Sequence, residues 1–200
     1  LTEMYSDGEG TELDLGEAAK WHRRLAESGD AWHQSMLADC YFQGDGVEVD
    51  FEEAAKWYRA AAEQEMPYAF VDLGICYEYG LGLEEDEKKA FQNYQKGYEL
   101  GDDSRAAYNL AKCYRYGHGV DPKIEEAKKY YLESAESGNS RAKLNLGFLY
   151  SNDDEIEGVE TDIHEAIKWY RAAAEDGEPV AQVMLGDLYW EGESVDQDDE

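Results

Sequence analysis

Cysteine is scarce in this chain: 200 residues contain three, an odd number that cannot close into a complete disulfide framework. Proline is as rare, with Pro67, Pro122 and Pro179 alone, so little interrupts a helical stretch. Positive charge is short as well. Lys plus Arg number 18 against 47 Asp plus Glu, a net charge of −29. Such a surface repels phosphate backbones and anionic bilayers, which excludes nucleic acid and membrane lipid as main ligands. No apolar run approaches the roughly 18–20 residues of a membrane helix. No basic start followed by an apolar stretch marks a signal peptide either. What the chain does have is aromatic side chains, 13% of residues with 16 Tyr and 5 Trp. Acidic disordered chains lack these, so the composition describes a folded, helix-rich protein with a solvated acidic surface.

The chain also repeats itself. "SRAAYNLAKCY" fills residues 104–114 and "SRAKLNLGFLY" fills 140–150. Tyr5, Tyr41, Tyr77, Tyr114, Tyr150 and Tyr189 follow one another at 36, 36, 37, 36 and 39 residues. Four residues before each stands Leu1, Leu37, Leu73, Leu110, Leu146 or Leu185. Four before five of those stand His33, Ala69, Ala106, Ala142 and Ala181. A second alanine series, Ala18, Ala54, Ala90, Ala127 and Ala166, trails the tyrosines. This many registers at one period define a structural repeat.

Each unit reads as two helices. In the first, Ala106, Leu110, Cys113, Tyr114 and Gly117 recur at steps of three and four, an apolar stripe of helical period. The second runs "EEAAKWYRAAAE" at 52–63 and "HEAIKWYRAAAE" at 164–175, with Trp57, Tyr58, Trp169 and Tyr170 as bulk. Between them lie "GDGV" (44–47), "GLGL" (80–83) and "GHGV" (117–120), the glycines of a helix end and tight turn. Asp50 and the pair Asp121-Pro122 are expected to start the following helices. Gly29, Gly101, Gly138 and Gly177 close the second helices, with Glu65 in the equivalent place once. Neither helix of a pair buries its apolar face alone, so pairs must stack on their neighbours.

The pattern Ala-x-x-x-Leu-Gly-x-x-Tyr-x-x-Gly-x-Gly-Val followed by Ala-x-x-Trp-Tyr-x-x-Ala-Ala resembles the Sel1-like repeats, cousins of the tetratricopeptide repeat. The match covers nearly the whole chain and departs from the pattern at 151–160, where the Gly-x-Gly pair is missing. The resemblance implies an all-α fold, a right-handed α-solenoid of stacked antiparallel helix pairs. It also implies one segment, 1–200, with repeats at 1–30 (partial), 31–66, 67–102, 103–139, 140–178 and 179–200 (partial). Because the chain starts and stops inside repeats, it reads as a segment of a longer solenoid.

Catalytic chemistry finds no foothold. Ser140 and Lys143 fit Ser-x-x-Lys, but no Lys-Thr-Gly partner exists and Ser140 stands where a helix N-cap belongs. His164-Glu165 begins a zinc-protease helix, and Lys168 then occupies the place of the second histidine. The acidic loop at 151–160 echoes a calcium loop, yet His164 stands where a bidentate carboxylate is needed. The four histidines share no metal-ligand spacing, so no catalytic residue, metal site or cofactor is expected. Cys40, Cys76 and Cys113 occupy one slot in three successive repeats. Helices stacked about 8–10 Å apart hold such residues beyond disulfide reach, so they read as buried packing residues of a reducing, cytoplasmic compartment.

A solenoid's first helices line its concave face. The residues beside the core stripe there are Trp32, Met36, Asp39 and Gln43; Tyr68, Asp72, Ile75 and Tyr79; Arg105, Asn109, Lys112 and Tyr116; and Arg141, Asn145, Phe148 and Asn152. Arg forks and Asn amides suit a carboxylate or a peptide backbone. Tyr68, Tyr79, Tyr116 and Phe148 suit apolar side chains. The candidate partner site is therefore Tyr68, Tyr79, Arg105, Asn109, Lys112, Tyr116, Arg141, Asn145 and Phe148, facing a protein or peptide with an acidic or C-terminal carboxylate group. The competing reading stays open: the asparagines tie backbones together, and the arginines offset local acidity. The function expected is a non-enzymatic protein-interaction scaffold. A regulatory or targeting repeat segment of a larger enzyme or signalling protein is the alternative.

Overall fold

A computed structural model describes residues 14–101, 103–151 and 160–191. Among the described residues there are ten helices and no strand. These are α1 (Leu15–Glu27), α2 (Ala31–Gln43), α3 (Phe51–Ala62), α4 (Pro67–Tyr79), α5 (Glu87–Glu99), α6 (Asp103–Tyr116), α7 (Ile124–Glu136), α8 (Ser140–Ser151), α9 (Ile163–Glu175) and α10 (Pro179–Glu191). The even-numbered helices are the first helices of the repeats read from the sequence. The protein is all-α and built of helical repeats. Leu1, Tyr5, Asn152 and the acidic loop at 152–159 lie outside the described residues. Two compact units divide the chain: residues 1–102 with 117–121, and 103–116 with 122–200.

Four of the five second helices begin the same way. The carboxylates of Asp14, Asp50, Asp86 and Asp162 accept from backbone N–H groups two or three residues on, each cap worth about 1 kcal/mol. The fourth start departs from the sequence expectation. α7 begins at Ile124 with Lys123 at the N-cap and no side-chain bond, so Asp121-Pro122 lies two residues too early. Ser140 likewise is the first residue of α8, and Asn139 is its cap, accepting from the Ala142 N–H at 3.1 Å. One backbone bond recurs in both units. The N–H groups of Asp50, Asp86, Lys123 and Asp162 donate to the carbonyls of Tyr41, Tyr77, Tyr114 and Tyr150 at 2.9, 2.9, 2.7 and 2.7 Å. The repeating tyrosine thus marks the point to which the chain returns before starting its second helix. Closure holds even where the connection is three residues longer.

In the first unit, the second glycine of each Gly-x-Gly turn seats the repeat on the one before. A Cβ on Gly46 would stand 2.0 Å from the carbonyl oxygen of Leu15, and one on Gly82 2.0 Å from that of Phe51. A Cβ on Gly119 would meet Glu87 at 2.2 Å. Leu15, Phe51 and Glu87 are the first residues of α1, α3 and α5, so the backbone of each turn lies directly on the start of an earlier helix. No side chain fits.

The core inside each repeat is a tyrosine against a small residue. Tyr58, Tyr94, Tyr131 and Tyr170, on α3, α5, α7 and α9, are buried. They lie against first helices that carry Ala38, Gly74, Ala111 and Gly147 at the matching position, all buried as well. A Cβ on Gly74 would meet the Tyr94 ring at 2.5 Å, and one on Gly147 the Tyr170 ring at 2.3 Å. The leucine column fills the remaining space, with Leu37, Leu73, Leu110 and Leu146 buried. Cys40, Cys76 and Cys113 are half-buried or buried and form no disulfide. Burial pushes the Cys76 thiol up to about 12 and Cys40 up to about 11, which marks both as packing groups.

Candidate functional site: the outward faces of the first helices

In the second unit the face is built from α6 and α8. Arg105 and Arg141 stand exposed at equivalent places near the helix starts. One helical turn on, Asn109 and Asn145 turn back on their own helices. Their amide N–H groups donate to the Arg105 carbonyl at 3.1 Å and the Arg141 carbonyl at 2.8 Å. Asn109 is buried and Asn145 half-buried. The asparagines therefore fix the backbone that carries each arginine. At the far end Tyr116 is half-exposed, with the Arg115 guanidinium 5.1 Å from its ring centre. Lys112 is half-buried. Phe148 faces inward: its ring meets Tyr170 edge-on at 5.6 Å and packs against the α8–α9 core.

The sequence reading passed over Arg115. This side chain is only 5% exposed, and its guanidinium donates to the side-chain Oδ1 of Asn145 at 2.9 Å, joining α6 to α8. It also stands beside Tyr131, whose phenol burial pushes up while the Arg115 charge opposes that push. The signal that finds it is positional. Arg115, Glu78 and Ser151 share one column, and the Tyr94 hydroxyl donates to Glu78 as the Tyr170 hydroxyl meets Ser151 at 3.0 Å. In the α2–α3 pair this column holds Phe42, so the Tyr58 hydroxyl donates instead to Asp39 at 2.6 Å, one turn back. A polar residue there answers the tyrosine of the next helix.

In the first unit the face is built from α2 and α4. Trp32 and Tyr68, in the places of Arg105 and Arg141, are 47% and 48% exposed, and Tyr79 is 57% exposed. Lys and Arg are absent from both helices. On α6 and α8, by contrast, stand Arg105, Lys112, Arg115, Arg141 and Lys143 with one carboxylate, Asp103. Lys143 pairs with Asp176 at 2.6 Å. For a chain of charge −29, these two helices hold an unusual share of the positive charge.

Elsewhere among the described residues the titratable groups make no reactive set. His22 and His33 lie with ring centres 5.4 Å apart, and the His33 Nδ1 meets Asp30 at 2.8 Å. Burial and then the neighbouring His33 lower the basicity of His22. Among the described residues no three His, Cys, Asp or Glu side chains converge as metal ligands, and no helix is long and apolar enough to cross a membrane.

Six stretches of the chain match the Sel1 repeat: residues 3–30, 34–66, 67–102, 104–139, 140–178 and 179–200. A Sel1 repeat protein from Oxalobacter formigenes is 34% identical and superimposes with a TM-score of 0.84, over 96% of this chain and 77% of that one. A protective antigen of uropathogenic Escherichia coli displaying an SLR fold is 35% identical, with a TM-score of 0.77 over 94% of this chain. The match spans 40% of the antigen's own chain. The immunity protein Pa5087 from Pseudomonas aeruginosa, at 22% identity and a TM-score of 0.57 over 84% of this chain and 61% of its own, shares the fold alone. No curated protein matches the chain.

Proposed function

The chain belongs to the Sel1 repeat family, whose members are in general non-catalytic protein-interaction scaffolds, and from that premise we propose that it grips a protein partner with the outward faces of its first helices. The observation that carries the reading is the repeated outward residue. Trp32, Tyr68, Arg105 and Arg141 are large side chains at one equivalent position, every one of them exposed. Their neighbours on the same helices, Leu37, Leu73, Leu110 and Leu146, are buried. Large, solvent-facing Trp, Tyr and Arg are the residue types that carry binding energy at protein interfaces.

The chemistry of the second unit suits an acidic segment or a C-terminal carboxylate. Arg105 and Arg141 present fork-shaped donors on a backbone that Asn109 and Asn145 hold in place, and Arg115 adds charge behind them. Tyr116 there, and Tyr68 and Tyr79 in the first unit, offer rings for apolar side chains. The regulatory-segment alternative is not favoured.

Selection of peptides from a random display library against the chain, repeated with an Arg105→Glu, Arg141→Glu double variant, tests this. The expected ligands carry Asp, Glu or a free C-terminus, and the double variant loses them at least tenfold, a change of about 1.4 kcal/mol. Its helical content and melting temperature stay close to the parent's, because both side chains are exposed. Equal capture by parent and variant contradicts the reading.

A further inference from the structure

A surface cleft of about 270 Å³ lies between α1 and the turn at 44–47, lined by Gly16, Ala19, Lys20, Arg23, Gly46 and Val47. Its floor is apolar and closely built. Ala19 is buried, and Gly46 sits so near the start of α1 that a Cβ there would lie 2.7 Å from the Gly16 nitrogen. Its rim is cationic, with Lys20 and Arg23 exposed and no carboxylate among the lining residues. Arg23 is held in place: its guanidinium donates to the Tyr41 hydroxyl and lies 5.6 Å from the centre of that ring. Lys20 pairs with Glu17 at 2.6 Å. Each of these cations carries several N–H donors, so one bond apiece leaves others for a ligand. One residue keeps the cleft open. The other second helices carry Glu52, Lys88, Glu125 and His164 at the place of Gly16. α3 repeats the cationic pair as Lys56 and Arg59, but there Glu52 stands one helical turn before Lys56 on the same face, adding bulk and opposite charge. At α1 the glycine adds neither.

We propose that this cleft binds a small organic acid, its carboxylate bridging Lys20 and Arg23 and its short apolar body lying on Ala19 and Val47. A carboxylate matches the planar fork of Arg23 and takes a further bond from Lys20. Phosphate is the poorer guest for two reasons. The floor offers the side chains of Ala19 and Val47, which suit hydrocarbon and not a shell of oxygens. A chain of charge −29 also repels a dianion more strongly than a monoanion. The volume admits a body of a few carbon atoms, since clefts for drug-sized ligands begin at about 300 Å³. The site is built from a second helix and a turn, and it uses none of the first-helix residues proposed above to grip a partner. Its carboxylate can belong to a free acid or to the end of a peptide, and the experiment separates these sources.

Isovalerate is the probe, titrated into the isotope-labelled whole chain while its amide signals are followed by NMR. Saturating shifts at Gly16, Ala19, Gly46 and Val47 are expected within about 20 mM, the range of so small a ligand. Isovaleramide, the same body without the charge, leaves those signals in place, and so does inorganic phosphate. Arg23→Gln weakens binding roughly tenfold or more, the loss of a charge-assisted hydrogen bond. Gly16→Glu abolishes binding while keeping or raising the melting temperature, because glutamate is the better helix former and sits one turn before Lys20. The Arg105→Glu, Arg141→Glu double variant binds isovalerate as the parent does, which separates this site from the outward faces proposed above. A peptide ending in a free valine, set against the same peptide amidated, identifies the source of the acid. Tighter binding of the free-ended peptide than of isovalerate assigns the site to a chain terminus, and equal or weaker binding assigns it to a free acid. Equal shifts with isovaleramide or phosphate, undiminished binding to Gly16→Glu, or an absence of saturation overturns the proposal.

Discussion

Replacing Gly82 with alanine is expected to lower stability by about 3 kcal/mol or more, a fall of roughly 10 °C in melting temperature for a chain of this size. Two costs combine at this position. The backbone of Gly82 sits at φ +68°, a conformation that a residue with a Cβ adopts at a penalty. The added methyl would also stand 2.0 Å from the Phe51 carbonyl oxygen and 2.6 Å from the Glu52 nitrogen. Both contacts are backbone, so no side chain can swing aside. The turn must lift off the start of α3, loosening the bond from the Asp86 N–H to the Tyr77 carbonyl nearby. Gly101→Ala is the matched control. It too has positive φ, +104°, but nothing lies within 4 Å of its Cβ direction, so only the conformational cost of about 1–2 kcal/mol remains. Chemical denaturation of the two variants side by side measures the difference. Equal losses would show that the turn does not rest on α3.

The second large effect lies at Tyr170 and Gly147. Tyr170→Ala removes a fully buried ring from the core shared by α8, α9 and α10 and is expected to cost about 3–5 kcal/mol. Gly147→Val drives a side chain into the same ring and is expected to cost about 2–3 kcal/mol by overpacking. The double variant is the informative one. With the ring gone, valine fills part of the vacated space, so the combined loss falls short of the sum by at least about 1 kcal/mol. Additive losses, measured by urea denaturation of all four proteins, would contradict the pairing of ring and glycine. A sister repeat carries alanine at the matching position, and Ala38 is buried in one core cluster with Tyr58.

The sequence showed the repeat plainly because its period is carried by residues with one structural job each. The leucines are buried, the turn glycines take positive φ, and Asp50 caps α3 as its position suggested. Glu65, which stands where other repeats have glycine, adopts φ 59°, so the backbone there holds its shape against residue preference. The start of α7 was misplaced for an instructive reason. Asp121-Pro122 is a strong local start signal, yet Lys123 lies six residues beyond Gly117, just as Asp50 and Asp86 lie six beyond Gly44 and Gly80. Turn geometry outweighed residue chemistry. The family pattern alone would have supplied the correct register.

The candidate site was legible only in outline. Arg105, Arg141, Tyr68, Tyr79 and Tyr116 face outward as the helical spacing suggested. Asn109 and Phe148 share that spacing, but one side chain is held by the Arg105 carbonyl and the other by the Tyr170 ring. Spacing gives the direction in which a side chain leaves the helix; it does not give the partner that draws it back. Arg115 was missed because it lies on the column facing the next helix, where an arginine is not expected and where its meaning depends on Asn145, 30 residues away. The backing of Gly46, Gly82 and Gly119 by earlier helices is likewise a contact between repeats, which no single repeat spells out.

The fold is built of helix pairs that are each closed by the same return of the chain to its repeating tyrosine. Amide hydrogen exchange, read residue by residue in the folded chain, tests that most directly. The N–H groups of Asp50, Asp86, Lys123 and Asp162 precede helices and sit at exposed or half-exposed residues, a place where amides ordinarily exchange fast. Bonded to Tyr41, Tyr77, Tyr114 and Tyr150, all four should exchange as slowly as amides in the middle of α3 or α9. Exchange at the rate of the neighbouring loop amides, such as those of Glu48 and Glu84, would contradict it.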